Sequence, residues 1–271
     1  MIRVTKQNGE VEAFDERKLE RGLKRAGASR EVIEQVKRAV RKEIYDGIST
    51  REIFAVAFRE FRKTEPVTAN RYNIKDALMR LGSSGFPFEM FIERILTLQG
   101  YRCVRDEMMQ GKIITHEIDV DAVKGTERLM VECKHRSKPW ISTHIQTALY
   151  VYARFLDVKA AFTRPMLVTN TKFSPQVIEY AKGVGMRLMG WHFPKEDSLE
   201  RNIDVFNAYP VTLLPSMTDE MLEICLRKGY VMLSDIHGLD EGALSKLFGI
   251  TRRKAAGIVQ ACTLCNQHLS H

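Results

Sequence analysis

Glu117-Ile118-Asp119-Val120-Asp121, followed after a short interval by Val131-Glu132-Cys133-Lys134, is the stretch that decides how this chain reads. Residues from about His116 to Val123 and from Arg128 to His135 alternate as strands, joined by a turn at Lys124-Gly125-Thr126-Glu127. Side chains alternate faces along a strand, so Ile118, Val120 and Ala122 share one face. Glu117, Asp119 and Asp121 share the other. Glu132 and Lys134 are two apart and also share a face. A hairpin register that aligns them sets a carboxylate from one strand beside a carboxylate and an ammonium from the next. Two carboxylates at close range repel unless a cation lies between them. A hard divalent ion held by carboxylate oxygens, a backbone carbonyl and water answers that need. Acids alternating along one strand read, by themselves, as a solvated face. Glu132-Cys133-Lys134 at hairpin spacing adds weight to a site. His116 and His135 flank the cluster, and Cys133 reads as a small buried hydrophobe.

Working outward, the surrounding pattern is mixed α/β. Phe88 to Leu98 reads as a helix with Phe88, Phe91, Ile92 and Ile95 inward. Ile141 to Phe155 is helical, Met166-Leu167-Val168 a buried strand, Pro175 to Lys182 a helix and Arg187 to Trp191 a strand. In this setting the two acidic clusters resemble the PD-(D/E)xK nuclease superfamily, in particular its Mrr-like restriction endonucleases. Phe88-Glu89, Leu96 and Gly100-Tyr101 resemble that family's opening helix and following strand. Gln146 stands in the helix after the lysine strand, where the family carries a glutamine. Phe162-Thr163, Val168-Thr169-Asn170, Phe173-Ser174, Ala181-Lys182 and Gly185-Met186-Arg187-Leu188 resemble its closing β-α-β segment. The resemblance runs in order over about residues 87 to 192, and that order completes the reading of the acidic clusters as a site. It implies Asp119 and Glu132 as ligands of Mg²⁺ (or Mn²⁺), with the carbonyl of Cys133 completing the protein's share. It further implies that Lys134 orients or activates the attacking water, that Glu89 contributes from the opening helix through water or through contact with a residue that holds the ion, and that Gln146 places the scissile phosphate or the water. His116 and His135 then read as DNA-facing or plain surface residues. The family's Ile-Asp pattern favours Asp119 over Asp121, although both lie on one face.

Ahead of this region, Gly82-Ser83-Ser84-Gly85 reads as a flexible linker. Before it, Asn8-Gly9 is a two-residue turn signal between Ile2-Arg3-Val4 and Val11-Glu12-Ala13-Phe14. Helices follow around Leu19, Leu23 and Ala26, then through Val32, Ile33, Val36, Val40 and Ile44. Ser49-Thr50-Arg51-Glu52 fits a capping box opening a third helix with Ile53, Ala57, Phe58 and Phe61 buried. A fourth runs through Tyr72, Ala77, Leu78 and Leu81. Val4-Thr5-Lys6-Gln7-Asn8-Gly9, Glu12, Phe14-Asp15, Lys18 and Tyr45-Asp46-Gly47-Ile48-Ser49-Thr50 resemble the ATP-cone domain of ribonucleotide reductases and their repressor, over residues 1 to 82. The resemblance implies an ATP or dATP site lined by Val4, Lys6, Glu12, Lys18 and Thr50. The chain departs from that family at Gln7, where Arg is common, and at Phe54, where His often stands. No Gly-x-x-x-x-Gly-Lys-Ser/Thr loop is present, so the nucleotide reads as a regulator and not as a fuel.

Past a connector at 193 to 215, residues 216 to 271 read as a helical appendage. Gly249-Ile250-Thr251 with Gly238-Leu239 faintly resembles a helix-hairpin-helix element, which would offer Arg252, Arg253 and Lys254 to phosphates. A helical capping pair explains the same residues about as well. Cys262, Cys265, His268 and His271 recur every third residue, but such spacing on one helix does not wrap four ligands round one zinc ion. The expected architecture is thus α/β (α+β): a restriction-endonuclease-like mixed sheet flanked by helices, preceded by a hairpin-plus-helical-bundle ATP cone and followed by a helical appendage. Forty-two Lys and Arg against 34 Asp and Glu give +8, which favours a polyanionic partner, here DNA. Five scattered cysteines fit a reducing compartment, and no apolar run reaches membrane-spanning length. Met1 to Lys6 lacks the apolar stretch of a secretory signal, so a cytoplasmic protein with no membrane partner is expected. The functional expectation is a Mg²⁺-dependent DNA endonuclease regulated by ATP or dATP, with a homo-oligomer among the states the nucleotide could select. The alternative is a nucleotide-sensing DNA-binding regulator that does not cut.

Overall fold

The computed structural model describes residues 2–65, 69, 72–82 and 85–267, the last four by backbone alone. Ser83 and Ser84 of the expected linker lie outside the described residues, as do His268 and His271. The chain forms two compact units, one holding the chain up to Lys75 and again from Ala256, the other Asp76–Ala255.

In the first unit, β1 (Arg3–Thr5) and β2 (Val11–Ala13) pair antiparallel with Thr5 opposite Val11. The Asn8-Gly9 signal makes a turn, but with three loop residues and not two. Lys6 N–H donates to Glu10 O and Gly9 N–H to Lys6 O, with Gly9 at φ 85°. This is a turn followed by a left-handed residue, a conformation that costs glycine least. Helices α1 (Glu16–Arg25), α2 (Arg30–Glu43) and α3 (Thr50–Thr64) follow. Leu19 and Leu23, then Val32, Val36 and Val40, then Ile53, Ala57 and Phe61 all fall at helical spacing and form one core with Val4 and Ile48. The capping box at α3 is complete: Glu52 N–H donates to Ser49 Oγ and Ser49 N–H to the Glu52 carboxylate.

The second unit is built on a five-stranded mixed sheet of order β3-β4-β5-β7-β9. β3 (Arg102–Gln110), β4 (Thr115–Lys124) and β5 (Glu127–Lys134) form an antiparallel meander; β7 (Arg164–Thr169) and β9 (Arg187–Met189) add in parallel. β6 (Ser142–Thr143) pairs with β8 (Lys172–Phe173) outside this sheet. Ile141 to Thr143, expected as the start of a helix, is therefore partly strand, and the helix α6 begins at Ile145 and ends at Val158.

α4 (Ile74–Met79) leads into the unit, where Thr212 Oγ1 donates to Ala77 O and Arg80 reaches the carbonyls of Thr212 and Met217. α5 (Phe86–Leu98) packs on β3, β4 and β5, with Phe88, Phe91, Ile92 and Ile95 fully buried. α6 and α7 (Pro175–Val184) share a core with Ile118, Met130, Leu167 and Leu188 of the sheet. The connector is itself structured, with α8 (Leu199–Phe206) and a 3₁₀ turn at Val211–Leu213. α9 (Asp219–Arg227), α10 (Leu233–His237), α11 (Glu241–Phe248) and α12 (Arg252–Gln267) continue the chain. No helix among the described residues is long and apolar enough to cross a membrane.

Candidate active site

The hairpin register between β4 and β5 runs from Lys124↔Glu127 to Val120↔Val131 and stops there. The next pair would be Asp119 and Glu132. At that point the strands part, and the Asp119 carboxylate accepts the Cys133 N–H at 2.7 Å in place of a backbone carbonyl. In a strand the N–H and C=O of one residue point towards the same neighbour, so the Cys133 carbonyl is directed to the same gap. The ladder between β3 and β4 breaks at the matching place, skipping from Arg105↔Val120 to Glu107↔Ile118. The skipped residue on β3 is Asp106, whose φ is 55°. Two interrupted ladders therefore open the sheet round Asp119, which is where a site can be built without breaking the fold.

Glu132 is buried at the end of β5, and both of its oxygens meet cations. Lys134 Nζ lies 2.5 Å from Oε1, and Arg154 Nη1 of α6 lies 2.5 Å from Oε2. Burial, and then the charge of Glu132, raise the Asp119 carboxyl from its ordinary 3.8 to about 6. Glu89, in the first turn of α5, is pushed up to about 7 by burial and then by Asp119, Asp106 and Glu117, and it shares a hydrogen bond with Asp106. Burial opposes the charged form of Lys134, but Glu132 and Asp119 outweigh it and hold the ammonium above the usual lysine range. Burial lifts the Cys133 thiol well above its ordinary value, as expected of a small side chain used for packing.

The structure thus brings Asp119, Glu132, Lys134 and Cys133 together and draws Glu89 into the same electrostatic cluster. Gln146 stands exposed in the first turn of α6, two turns before Arg154. Asp121 separates cleanly from Asp119. It is 4% exposed and its carboxylate is gripped by the Arg128 guanidinium, at 3.0 Å from Nε and 2.5 Å from Nη2. Among the described residues no three His, Cys, Asp or Glu side chains converge as a ready-made metal cage. Two carboxylates and a carbonyl suit Mg²⁺, which commonly takes one or two protein carboxylates and keeps several waters. Burial and then the charge of Glu132 raise Asp119, and such an ion would offset both, so the residues present fit the group.

The reading of the two flanking histidines needs correction. His116 is not a surface residue; its Nε2 lies 2.8 Å from Asp157, and both side chains are largely covered. His135 packs its ring against Phe88 and its Nε2 lies 3.2 Å from Leu78 O. Alternation along the strands could not show this, because the partners come from α4, α5 and α6. Two residues of the site were not singled out from sequence. Asp106 announces itself only through its backbone conformation. Arg154 follows Gln146 by eight positions on one helix and joins Glu132 only once α6 has packed on the sheet.

In the first unit, Lys6 and Lys18 converge on Glu12. Lys6 Nζ lies 3.1 Å and Lys18 Nζ 2.7 Å from its two oxygens. Lys18 and then Lys6 hold the Glu12 carboxyl below the usual range, and Glu10 and Glu12 hold Lys6 above it. Val4 is buried directly opposite Glu12 in the hairpin. A parallel bridge between Thr5 and Ser49 brings Lys6 alongside Thr50, the first residue of α3. Phe54 stacks on Tyr72 at 4.8 Å between centroids and on Phe58 at 6.1 Å, which gives the aromatic ring at this position a packing role.

Comparison with known proteins agrees with this division. Residues 2–74 match the ATP cone domain family, and residues 81–191 match the restriction endonuclease family of the Mrr catalytic type. Residues 240–267 match the integrase zinc binding domain, a stretch whose only Cys or His residues are Cys262 and Cys265. An uncharacterized protein of Archaeoglobus fulgidus is 36% identical over 167 residues, covering 61% of this chain and 94% of its own length. A crystal structure of a protein of unknown function, AF1548, superposes with a TM-score of 0.59 at 34% identity, over 67% of this chain and 98% of that one. The chain accordingly belongs to the Mrr-type restriction endonuclease family, with an ATP cone domain placed ahead of the nuclease-type domain.

Proposed function

We propose that residues 87–192 form a Mg²⁺-dependent endonuclease that hydrolyses DNA phosphodiester bonds, and that ATP or dATP bound in residues 1–82 regulates it. The observation that carries this reading is the cluster of Asp119, Glu132 and Lys134 where β4 and β5 part. Asp119, Glu132 and the Cys133 carbonyl would hold the ion, with Glu89 contributing from α5 through water or through contact with one of them. A bound Mg²⁺ supplies Lewis-acid stabilisation of the phosphoryl charge and makes a water more acidic. Lys134, fixed by Glu132, orients the attacking water and offsets negative charge on the phosphorane. Gln146 positions the scissile phosphate from the first turn of α6.

In the cone, Lys6 and Lys18 exchange Glu12 for phosphate oxygens beside the capped N-terminus of α3. Regulation then requires the nucleotide to favour one arrangement or oligomer over another, typically by ~1–3 kcal/mol.

The test is nicking of supercoiled plasmid with Mg²⁺, with and without ATP or dATP, by wild type, Asp119→Ala and Lys134→Ala. Wild type alone is expected to nick; equal activity in all three rejects the assignment. One observation favours a second reading, a DNA-binding regulator that does not cut: both oxygens of Glu132 are already occupied by protein cations. Salt-sensitive DNA binding without nicking at any Mg²⁺ concentration is the result that would select it.

A further inference from the structure

The metal-site reading leaves Arg154 without a task. We propose that Arg154 is an internal counter-ion that occupies Glu132 until a DNA phosphate draws it away, so that divalent metal and DNA bind with positive coupling. The inference rests on the metal-site reading above and goes beyond it, because it names the residue through which substrate would control the metal.

Glu132 is 3% exposed and its Oε2 faces the guanidinium of Arg154 at 2.5 Å. Arg154 is itself 9% exposed, and its Nε is buried with no hydrogen-bond partner. A guanidinium kept in the interior for structure alone would have its donors satisfied, since an unpaired buried donor costs stability. Arg154 instead has a donor to spare beside the carboxylate that the metal needs. Over the guanidinium lies the ring of Tyr150, with its centroid 5.3 Å from Cζ, and Tyr150 is 54% exposed. The lid over Arg154 is therefore a solvent-facing side chain and not packed core. The acceptor that suits a planar guanidinium at the mouth of such a site is a phosphate oxygen.

The charge count gives the direction of the coupling. Asp119 and Glu132 carry two negative charges, and Lys134 and Arg154 carry two positive ones. A divalent ion entering this set meets two resident cations and must displace one from Glu132. A phosphodiester arriving at the same time gives Arg154 a new partner and offsets one of the two positive charges that the ion adds. Metal alone should then bind weakly, and metal with DNA should bind strongly, each favouring the other by the same factor.

The experiment is Mn²⁺ binding to the whole 271-residue chain, followed by the paramagnetic resonance signal of free Mn²⁺. Wild type, Arg154→Met, Arg154→Lys and Asp119→Asn are compared without DNA, with a short DNA duplex, and with inorganic phosphate. Without DNA, Arg154→Met is expected to bind Mn²⁺ at least about tenfold more tightly than wild type, which is 1.4 kcal/mol. Arg154→Lys keeps the charge and should stay close to wild type; if the methionine variant does not fold, wild type decides, since a Mn²⁺ affinity that duplex leaves unchanged overturns the coupling. Adding duplex should tighten wild type and close the gap to Arg154→Met. If inorganic phosphate closes it equally well, the phosphate group alone is the trigger; if only duplex does, the DNA backbone is.

A folded Arg154→Met that binds Mn²⁺ no more tightly than wild type overturns the inference. If binding depends on Asp119 but is indifferent to Arg154, the metal site stands and the counter-ion role falls. Absence of Mn²⁺ binding in wild type and in Arg154→Met, with and without DNA, removes both.

Discussion

Replacing Asp119 by Asn should make the metal-free protein more stable at alkaline pH while abolishing nicking. Burial and Glu132 raise the Asp119 carboxyl from 3.8 to about 6. At 1.36 kcal/mol per pH unit this difference corresponds to roughly 3 kcal/mol, an upper figure because Lys134 and Arg154 relax round the pair. A carboxyl whose pKa is higher in the folded chain than in the unfolded one holds its proton more tightly when folded. Its contribution to stability is therefore present below about pH 4 and is lost as the pH rises through about 6.

Asn cannot ionise, and its side-chain carbonyl can still accept the Cys133 N–H. Urea denaturation without metal should then place Asp119→Asn about 1–3 kcal/mol above wild type at pH 8 and within error of it at pH 4. Saturating Mg²⁺ should narrow the gap by stabilising wild type alone, by about 2.7 kcal/mol at one hundred times the dissociation constant. A folded Asp119→Asn that is no more stable than wild type at pH 8 overturns this expectation, since neither burial nor Glu132 would then penalise the Asp119 charge.

Three further outcomes are expected. Nicking by wild type should rise between pH 6 and 7, because Asp119 near 6 and Glu89 near 7 must lose their protons before the cluster holds a cation; Glu89→Gln should move the midpoint of that rise towards 6 in the pH–rate profile. Asp121→Ala should leave Mn²⁺ affinity intact yet lower stability by about 1–3 kcal/mol in urea melts, because it strands Arg128 and empties a buried carboxylate position. Lys18→Ala should weaken ATP binding about tenfold in titration calorimetry and reduce its salt dependence, as expected for one lost charge-assisted contact of roughly 1.5 kcal/mol.

What the amino-acid sequence made legible was local. Period-two alternation placed β4 and β5, and helical spacing found Phe88, Phe91, Ile92 and Ile95 as a buried face. The capping box at Ser49 and Glu52 was readable because its partners are three residues apart. Alternation could not separate Asp119 from Asp121, because both share a face by parity; only the three-dimensional partner of each, Cys133 N–H for one and Arg128 for the other, tells them apart. β3 is polar along much of its length, Arg102-Cys103-Val104-Arg105-Asp106-Glu107, and carries little hydrophobic signal although it spans nine residues. Asp106 and Arg154 were silent for related reasons. One acts through a left-handed backbone, and the other reaches Glu132 across 22 positions of chain, after the helix has docked.

The most direct measurement is an anomalous difference map from crystals of the whole 271-residue chain soaked in Mn²⁺ with a short DNA duplex. A peak about 2.1 Å from carboxylate oxygens of both Asp119 and Glu132 and from the Cys133 carbonyl is the predicted result. A saturating soak that leaves Asp119 on the Cys133 N–H and Glu132 between Lys134 and Arg154, with the ion bound elsewhere or not at all, would contradict the account.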